Sequence, residues 1–176
     1  GIAAGLQDRV AQVYQGLVYM DFNRELMERQ GYGRYESLDP SLMPPLYIAY
    51  RTDLSEGSEV FHNNIRERFQ RGDSEVVEAM RAWAELTDKA REALEARDYE
   101  RLGRMMDENF DRRARLYRLC EGNLRMVQVA REAGASAKFP GSGGAIVGIY
   151  PDEAVFERLK ERLGAMQVEV IRPRLV

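Results

Sequence analysis

Chemistry concentrates first in Lys138-Phe139-Pro140-Gly141-Ser142-Gly143-Gly144, a run that joins a cation to a proline and three glycines. Glycine lets the backbone take positive φ and approach a ligand closely. Successive amides in such a run can point at one anion. The same composition suits a β-hairpin turn, and the spacing leaves both readings open. Neither a Walker loop nor a dinucleotide fingerprint is present, because no Gly-Lys-Ser/Thr or matching glycine spacing occurs. At the other end of the chain, Asp8 stands beside Arg9. An acid in the first turn of a helix stabilises it by roughly a few tenths of a kcal/mol, and an arginine folding back would hold it ionised. Arg112 and Arg113 could pair a carboxylate bidentately, although such charges more often form a solvated helix face. His62 is the sole histidine, which speaks against a metal cluster or a Ser-His-Asp triad. It sits either against a substrate or in solvent at the start of a helix. Trp83 and the methionines read as core.

The elements that must position these residues follow from periodicity. Leu6–Gln15 begins as a helical turn. Gly16–Phe22 is rich in β-formers and reads as a strand. Residues 23–45 carry Gly31, Gly33, Pro40, Pro44 and Pro45, which predicts a loop-rich connection. Leu46–Tyr50 is a short apolar run, read as a buried strand, and Thr52–Ser58 as a polar loop. From about residue 59 the period becomes helical. Phe61, Ile65 and Phe69 share one face, and Val76, Val77, Met80, Trp83, Thr87, Ala90 and Leu94 another. A third helix, with Asp98 as N-cap, carries Leu102, Met106 and Phe110. A fourth begins near Asn123 and carries Met126, Val127, Ala130 and Ala133, with Gly134 just past its end. Ala137–Phe139 reads as a strand end leading into the glycine run, and Ala145–Tyr150 as a second strand. Asp152 opens a helix that Gly164 ends, and Val168–Ile171 closes as a strand. Strands beside a helical block give the α+β class, an antiparallel sheet packed on helices.

The bulk numbers are those of an ordinary globular chain. Of 176 residues, 44% are hydrophobic and 31% charged, with a net charge of −3. Acids and bases interleave, so no basic field for nucleic acid exists. No apolar run approaches the roughly 20 residues that span a bilayer. The single Cys120 cannot form an internal disulfide and fits a reducing, cytoplasmic setting. The chain starts Gly-Ile-Ala-Ala-Gly without Met, which we read as a fragment of a longer protein.

Two segments resemble conserved motifs of the GHMP kinases (galactokinase, homoserine, mevalonate and phosphomevalonate kinases). Ala137–Ala145 is similar to the family's third motif, a Lys-x-Thr/Ser-Gly-x-Gly-Gly-Gly-like turn near the nucleotide phosphates and the substrate. Pro140 stands where Thr or Ser is common, which removes a hydroxyl, and Ala145 where a further glycine often stands. Gly5–Gly16 is similar to the family's Gly-x-x-Asp-x-x-x-x-x-x-Gly-Gly segment, whose aspartate is catalytic in the galactokinase and mevalonate kinase branches. Asp8–Phe22, Leu42–Leu46, Ser58–Phe69 and Asn109–Arg113 further resemble the plant-type glucuronokinase branch, which phosphorylates a uronic acid at its anomeric hydroxyl.

The resemblance implies a GHMP-kinase C-terminal, ferredoxin-like domain over 23–176, preceded by a segment, 1–22, that carries the catalytic-Asp motif and continues from an N-terminal domain. It implies transfer of the γ-phosphoryl of ATP or another nucleoside triphosphate to a sugar hydroxyl. Asp8 would take or orient the hydroxyl proton. Lys138, Gly141, Ser142, Gly143, Gly144 and Ser58 would bind nucleotide or substrate, with Asn63 beside Ser58. No residue here is assigned to a metal. The family's Pro-x-x-x-Gly-Leu-Gly-Ser-Ser phosphate loop is absent from these residues, so Mg²⁺ and most triphosphate contacts are expected in the N-terminal half, and the isolated chain is expected to be inactive. The alternatives are a heptose, arabinose, galactose or mevalonate type of GHMP kinase, or a non-catalytic interaction or dimerisation domain whose uncovered apolar surface associates.

Overall fold

A computed structural model describes residues 5–54 and 65–174. Ser58, Phe61, His62 and Asn63 lie outside the described residues, and with them the start of the helix expected from residue 59. The chain forms two compact units, residues 1–43 with 174–176, and residues 44–173.

In the first unit, helix α1 (Leu6–Tyr14) precedes strand β1 (Leu17–Asp21). Residues 23–45, read as loop-rich, hold a helix and a strand. Helix α2 (Arg24–Gln30) starts where the Asn23 side chain accepts the Leu26 N–H, and it ends at Gly31 with φ 80°. Strand β2 (Arg34–Leu38) pairs antiparallel with β1, in register from Leu17 opposite Leu38 to Asp21 opposite Arg34. The turn residues were read correctly as breaks, but a seven-residue helix and a five-residue strand fit between them. Helix α2 buries no residue, so it leaves no apolar period to read.

In the second unit, strand β3 (Leu46–Tyr50) is central to an antiparallel sheet. Strand β4 (Ala145–Ile149) flanks it on one side and β5 (Glu169–Ile171) on the other. Beyond β4, Lys138 pairs with Val147 through both backbone groups, at 2.9 and 2.8 Å. The expected strand end at 137–139 is therefore a single bridge on the sheet edge. Tyr47 and Ala49 point into the core and are fully buried, as is Ile146.

Residues 65–70 are helical and are called α3. Helix α4 (Ser74–Glu95), α5 (Tyr99–Leu116) and α6 (Glu121–Glu132) follow, and α7 (Glu153–Gly164) joins β4 to β5. Asp98 caps α5 by accepting the Arg101 N–H, and Asp152 caps α7 by accepting the Val155 N–H. Gly134, with φ 99°, follows α6 as expected. The buried faces of α6 and α7, with Met126, Ala130, Leu159 and Leu163, form one cluster with Tyr47, Ile146 and Phe139. The fold is α+β. The core reading of Trp83 and the methionines needs division: Met126 is fully buried, Trp83 is half-buried with its indole donating to the Asn109 carbonyl, and Met80 is exposed.

Candidate active site

Asp8 occupies the first turn of α1, an exposed helix. Its carboxylate accepts the Gly5 backbone N–H at 3.1 Å. That contact satisfies a helix-terminal donor that would otherwise lack a partner. Arg9 forms no ion pair with it. Within its own unit Asp8 is a capping residue with an accessible carboxylate.

The glycine run is built quite differently. It departs from the sheet at Lys138 and returns at Val147, so it is a hairpin, but far wider than a tight two-residue turn. Its base is pinned twice. Ser136 N–H donates to the Ile149 carbonyl and Ile149 N–H to the Ser136 hydroxyl, each at 3.0 Å. The Ala137 N–H donates to the Asp107 carboxylate at 2.8 Å, and Asp107 is in turn held by Arg131 Nε at 2.9 Å. Burial raises the pKa of Asp107, against the lowering effect of the Ala137 amide and Arg131. Arg131 reaches Asp111 as well, at 2.7 Å. Helix α5 thus fixes where the hairpin begins.

The far end of the run is held by Asn123, which the sequence reading placed only as a helix start. Helix α6 begins two residues earlier, at Glu121, behind Cys120. Asn123 is therefore inside the helix and is 1% exposed. Its Oδ1 accepts the Gly144 N–H at 2.9 Å, and its Nδ2 donates to the Leu54 carbonyl at 3.3 Å and contacts Cys120 Sγ at 3.1 Å. The Gly144 carbonyl accepts the Arg51 N–H at 2.8 Å. Gly144 is thereby withdrawn from the set of amides free to face an anion, although the sequence grouped it with Gly141 and Gly143. Gly143 has φ 142°, and a Cβ there would lie 2.7 Å from Asn123 Nδ2. Glycine is required there by both backbone and neighbour. A Cβ added at the exposed Gly141 would meet nothing within 4 Å, so there is free space beside that part of the turn. A signal for Asn123 existed in the sequence: it falls in step with Met126, Val127 and Ala130 on the apolar stripe of its helix.

Among the described residues no acid lies within ion-pair distance of Lys138. Its ammonium donates to the Phe139 carbonyl at 2.9 Å. Burial pushes its pKa down, and the charge of Arg113 adds to that. Of the arginine pair, Arg112 reaches Glu108 along the helix at 2.6 Å, the solvated alternative. Arg113 turns inward, its guanidinium 5.4 Å from the Phe139 ring and 5.1 Å from the Tyr117 ring. The Phe139 ring meets Phe110 edge-on at 5.0 Å.

Residues 90–168 match the family described as GHMP kinases C terminal. Over these residues the chain is similar to a GHMP-kinase C-terminal domain. The match covers α5, α6, the glycine hairpin, β4 and α7, the elements that build the loop and its supports. The chain is 45% identical to Glucuronokinase 1 of Arabidopsis thaliana over 155 residues, which is 86% of this chain and 42% of that protein. It is 47% identical over 156 residues to probable glucuronokinase 2 of the same plant, with the same shares. The chain thus spans about two fifths of the length of these curated relatives. A crystal structure of L. major mevalonate kinase in complex with R-mevalonate shares the fold, with a TM-score of 0.73 at 21% identity, over 96% of this chain and 53% of that one. A Listeria innocua protein gives 0.70 at 14% identity, over 94% and 47%. Among the described residues no helix is long and apolar enough to cross a membrane.

Proposed function

We propose that this chain is the C-terminal part of a sugar kinase that transfers the γ-phosphoryl group of a nucleoside triphosphate to the anomeric hydroxyl of a uronic acid. The observation that carries the reading is the 45–47% identity to glucuronokinases across most of the chain. The shape of the hairpin supports it: a wide turn, rigid at both ends, with an open Gly141 and a lysine at its base.

Phosphoryl transfer depends mainly on positioning and charge neutralisation. In this reading Gly141, Ser142 and Gly143 lend backbone groups to a phosphate or the substrate, while Asn123 keeps their frame fixed by holding Gly144. Asp8 takes or orients the proton of the attacking hydroxyl. Its one described bond, to the Gly5 amide, holds the carboxylate without an opposing cation. Ser58 remains a candidate for substrate contact on the family resemblance. ATP is the phosphoryl donor in this reading, as the similarity to kinases supports. Magnesium is a different matter: among the described residues no three Asp, Glu, His or Cys side chains lie together. No residue of this chain is assigned to it, and no step is drawn through it. Because the family's phosphate loop is absent from these residues, the chain alone should not turn over nucleotide.

The test is a substrate panel on the whole protein that carries this chain, with glucuronate, galactose, arabinose and a heptose phosphate. Uronate-dependent nucleotide turnover supports the reading; turnover with neutral sugars alone replaces it with another GHMP branch. Asp8→Asn should lower kcat by about 10²–10⁴-fold with little change in sugar KM. An unchanged kcat removes Asp8 from the chemistry. The unpaired Cys120 is our ground for placing the protein in a reducing cytoplasm, which cell fractionation checks. Exposed Phe69 and Met80 favour self-association of the chain, and a single monomeric species in sedimentation at all concentrations removes that idea.

A further inference from the structure

Helix α5 carries an anomaly on its inward face. Gly103 and Phe110 are buried there, and three residues after Phe110 the same face presents an arginine. Arg113 is half-buried. Its Nε is fully shielded and has no hydrogen-bond partner among the described residues. A shielded cationic N–H without an acceptor is costly and uncommon in a folded protein. The helix end does not need this charge either, because Arg115 supplies the last turn from an exposed position.

A second cation lies against the same point. Lys138 begins the glycine hairpin, and its ammonium rests on the Phe139 carbonyl. The Arg113 guanidinium lies over the ring of that same Phe139. The two charges repel, as the effect of Arg113 on Lys138 registers. Neither is matched by an acid: no carboxylate among the described residues lies within ion-pair distance of either. Two unpaired like charges are lower in energy when separated in solvent, yet here both are held in by aromatic and backbone packing. Tyr117 and Phe139 flank the guanidinium with ring faces, which favour its flat fork and keep water from it.

We infer that Arg113 and Lys138 together receive the carboxylate of the sugar acid, and so set the preference for a uronate over a neutral hexose. The inference rests on the sugar-kinase reading above and deepens it. A planar guanidinium matches a planar carboxylate in two parallel hydrogen bonds, and the ammonium supplies the second positive charge. A single carboxylate on the terminal nitrogens of the guanidinium would neutralise Arg113 and relieve the repulsion between the two cations at once. A neutral hexose, with a hydroxymethyl group in that place, does neither. Site groups left unpaired in this way discriminate strongly between otherwise similar substrates.

The experiment compares glucuronate with glucose on the whole protein that carries this chain, unaltered and as Arg113→Met and Arg113→Lys. Arg113→Met is expected to raise the uronate KM on the order of 100-fold, with nucleotide KM unchanged and any glucose turnover unaffected. Arg113→Lys should recover only part, since it keeps the charge and loses the fork. An unaltered uronate KM in a folded, active Arg113→Met overturns the inference and leaves the kinase reading standing. So does a rise in nucleotide KM instead, which would give the pair to a phosphate. Absence of uronate turnover by the unaltered protein overturns both. Should Arg113→Met not fold, thermal shift of the unaltered protein without nucleotide decides: glucuronate should raise Tm and glucose should not, and equal shifts overturn the assignment.

Discussion

Asp8 and the 138–147 hairpin were the two places where the sequence promised chemistry, and they are built in opposite ways. Asp8 is held by one bond to a residue three positions away, on a helix whose only buried residue is Val10. The hairpin is held by Asp107, Asn123, Arg51 and Tyr47, all remote in sequence, the last donating its hydroxyl to the Ser136 carbonyl at 2.8 Å. A residue that is only locally supported can be altered with little structural damage. A loop defined by tertiary bonds couples its geometry to the stability of the whole unit.

Gly148 should break the comparison most forcefully on the hairpin side. A Cβ there would overlap the Ser136 carbonyl oxygen, which is backbone and cannot swing away. Gly148→Val is expected to destabilise by about 4 kcal/mol or more, read as collapse of the urea midpoint or as insoluble protein. Asn123→Ala comes next. It strands the Gly144 amide and the Leu54 carbonyl inside the protein, at a cost of about 2–3 kcal/mol. The readout is chemical denaturation, with loss of sugar and nucleotide affinity in the whole protein. Asn123→Asp, which keeps the acceptor and loses the donor, should fall between.

Lys138→Met acts in the other direction. Burial sets the folded-state pKa of Lys138 below its ordinary 10.5, so the unfolded chain binds the extra proton. Stability contributed through this group therefore rises as pH climbs toward 10.5, and its cost is full below the lowered folded value. The variant should be more stable near neutrality and should lose that rise when midpoints are followed from about pH 8 to 10. Tyr47 sharpens the need for the paired comparison: burial raises its pKa above 10.0, so it removes stability once the unfolded phenol ionises. Smallest is Asp8→Asn, whose stability change should stay below about 1 kcal/mol. A large loss would show that Asp8 is structural after all.

What could be read from the sequence tracks this same contrast. Asp98, Asp152 and Gly134 announced helix ends because capping is settled within a few residues. Strands β3 and β4 and the long helices showed their periods. Helix α2 and strand β2 did not, since one buries nothing and the other is short and bracketed by glycine and proline. The glycine run was visible by composition, yet whether it was a tight turn or an open one depended on Asn123 and Asp107, residues that look like ordinary helix polar groups until packing gives them partners. Arg112 and Arg113 were indistinguishable as letters. One heptad phase separates them, and only the position of Phe139 reveals which one is turned inward.

Asn123 has one more consequence. Its two amide atoms face different parts of the chain, Oδ1 toward the glycine hairpin and Nδ2 toward Leu54 at the end of a described stretch. A single rigid carboxamide is thus a shared pivot. A change at Leu54 or at Gly144 therefore alters a partner of the same side chain.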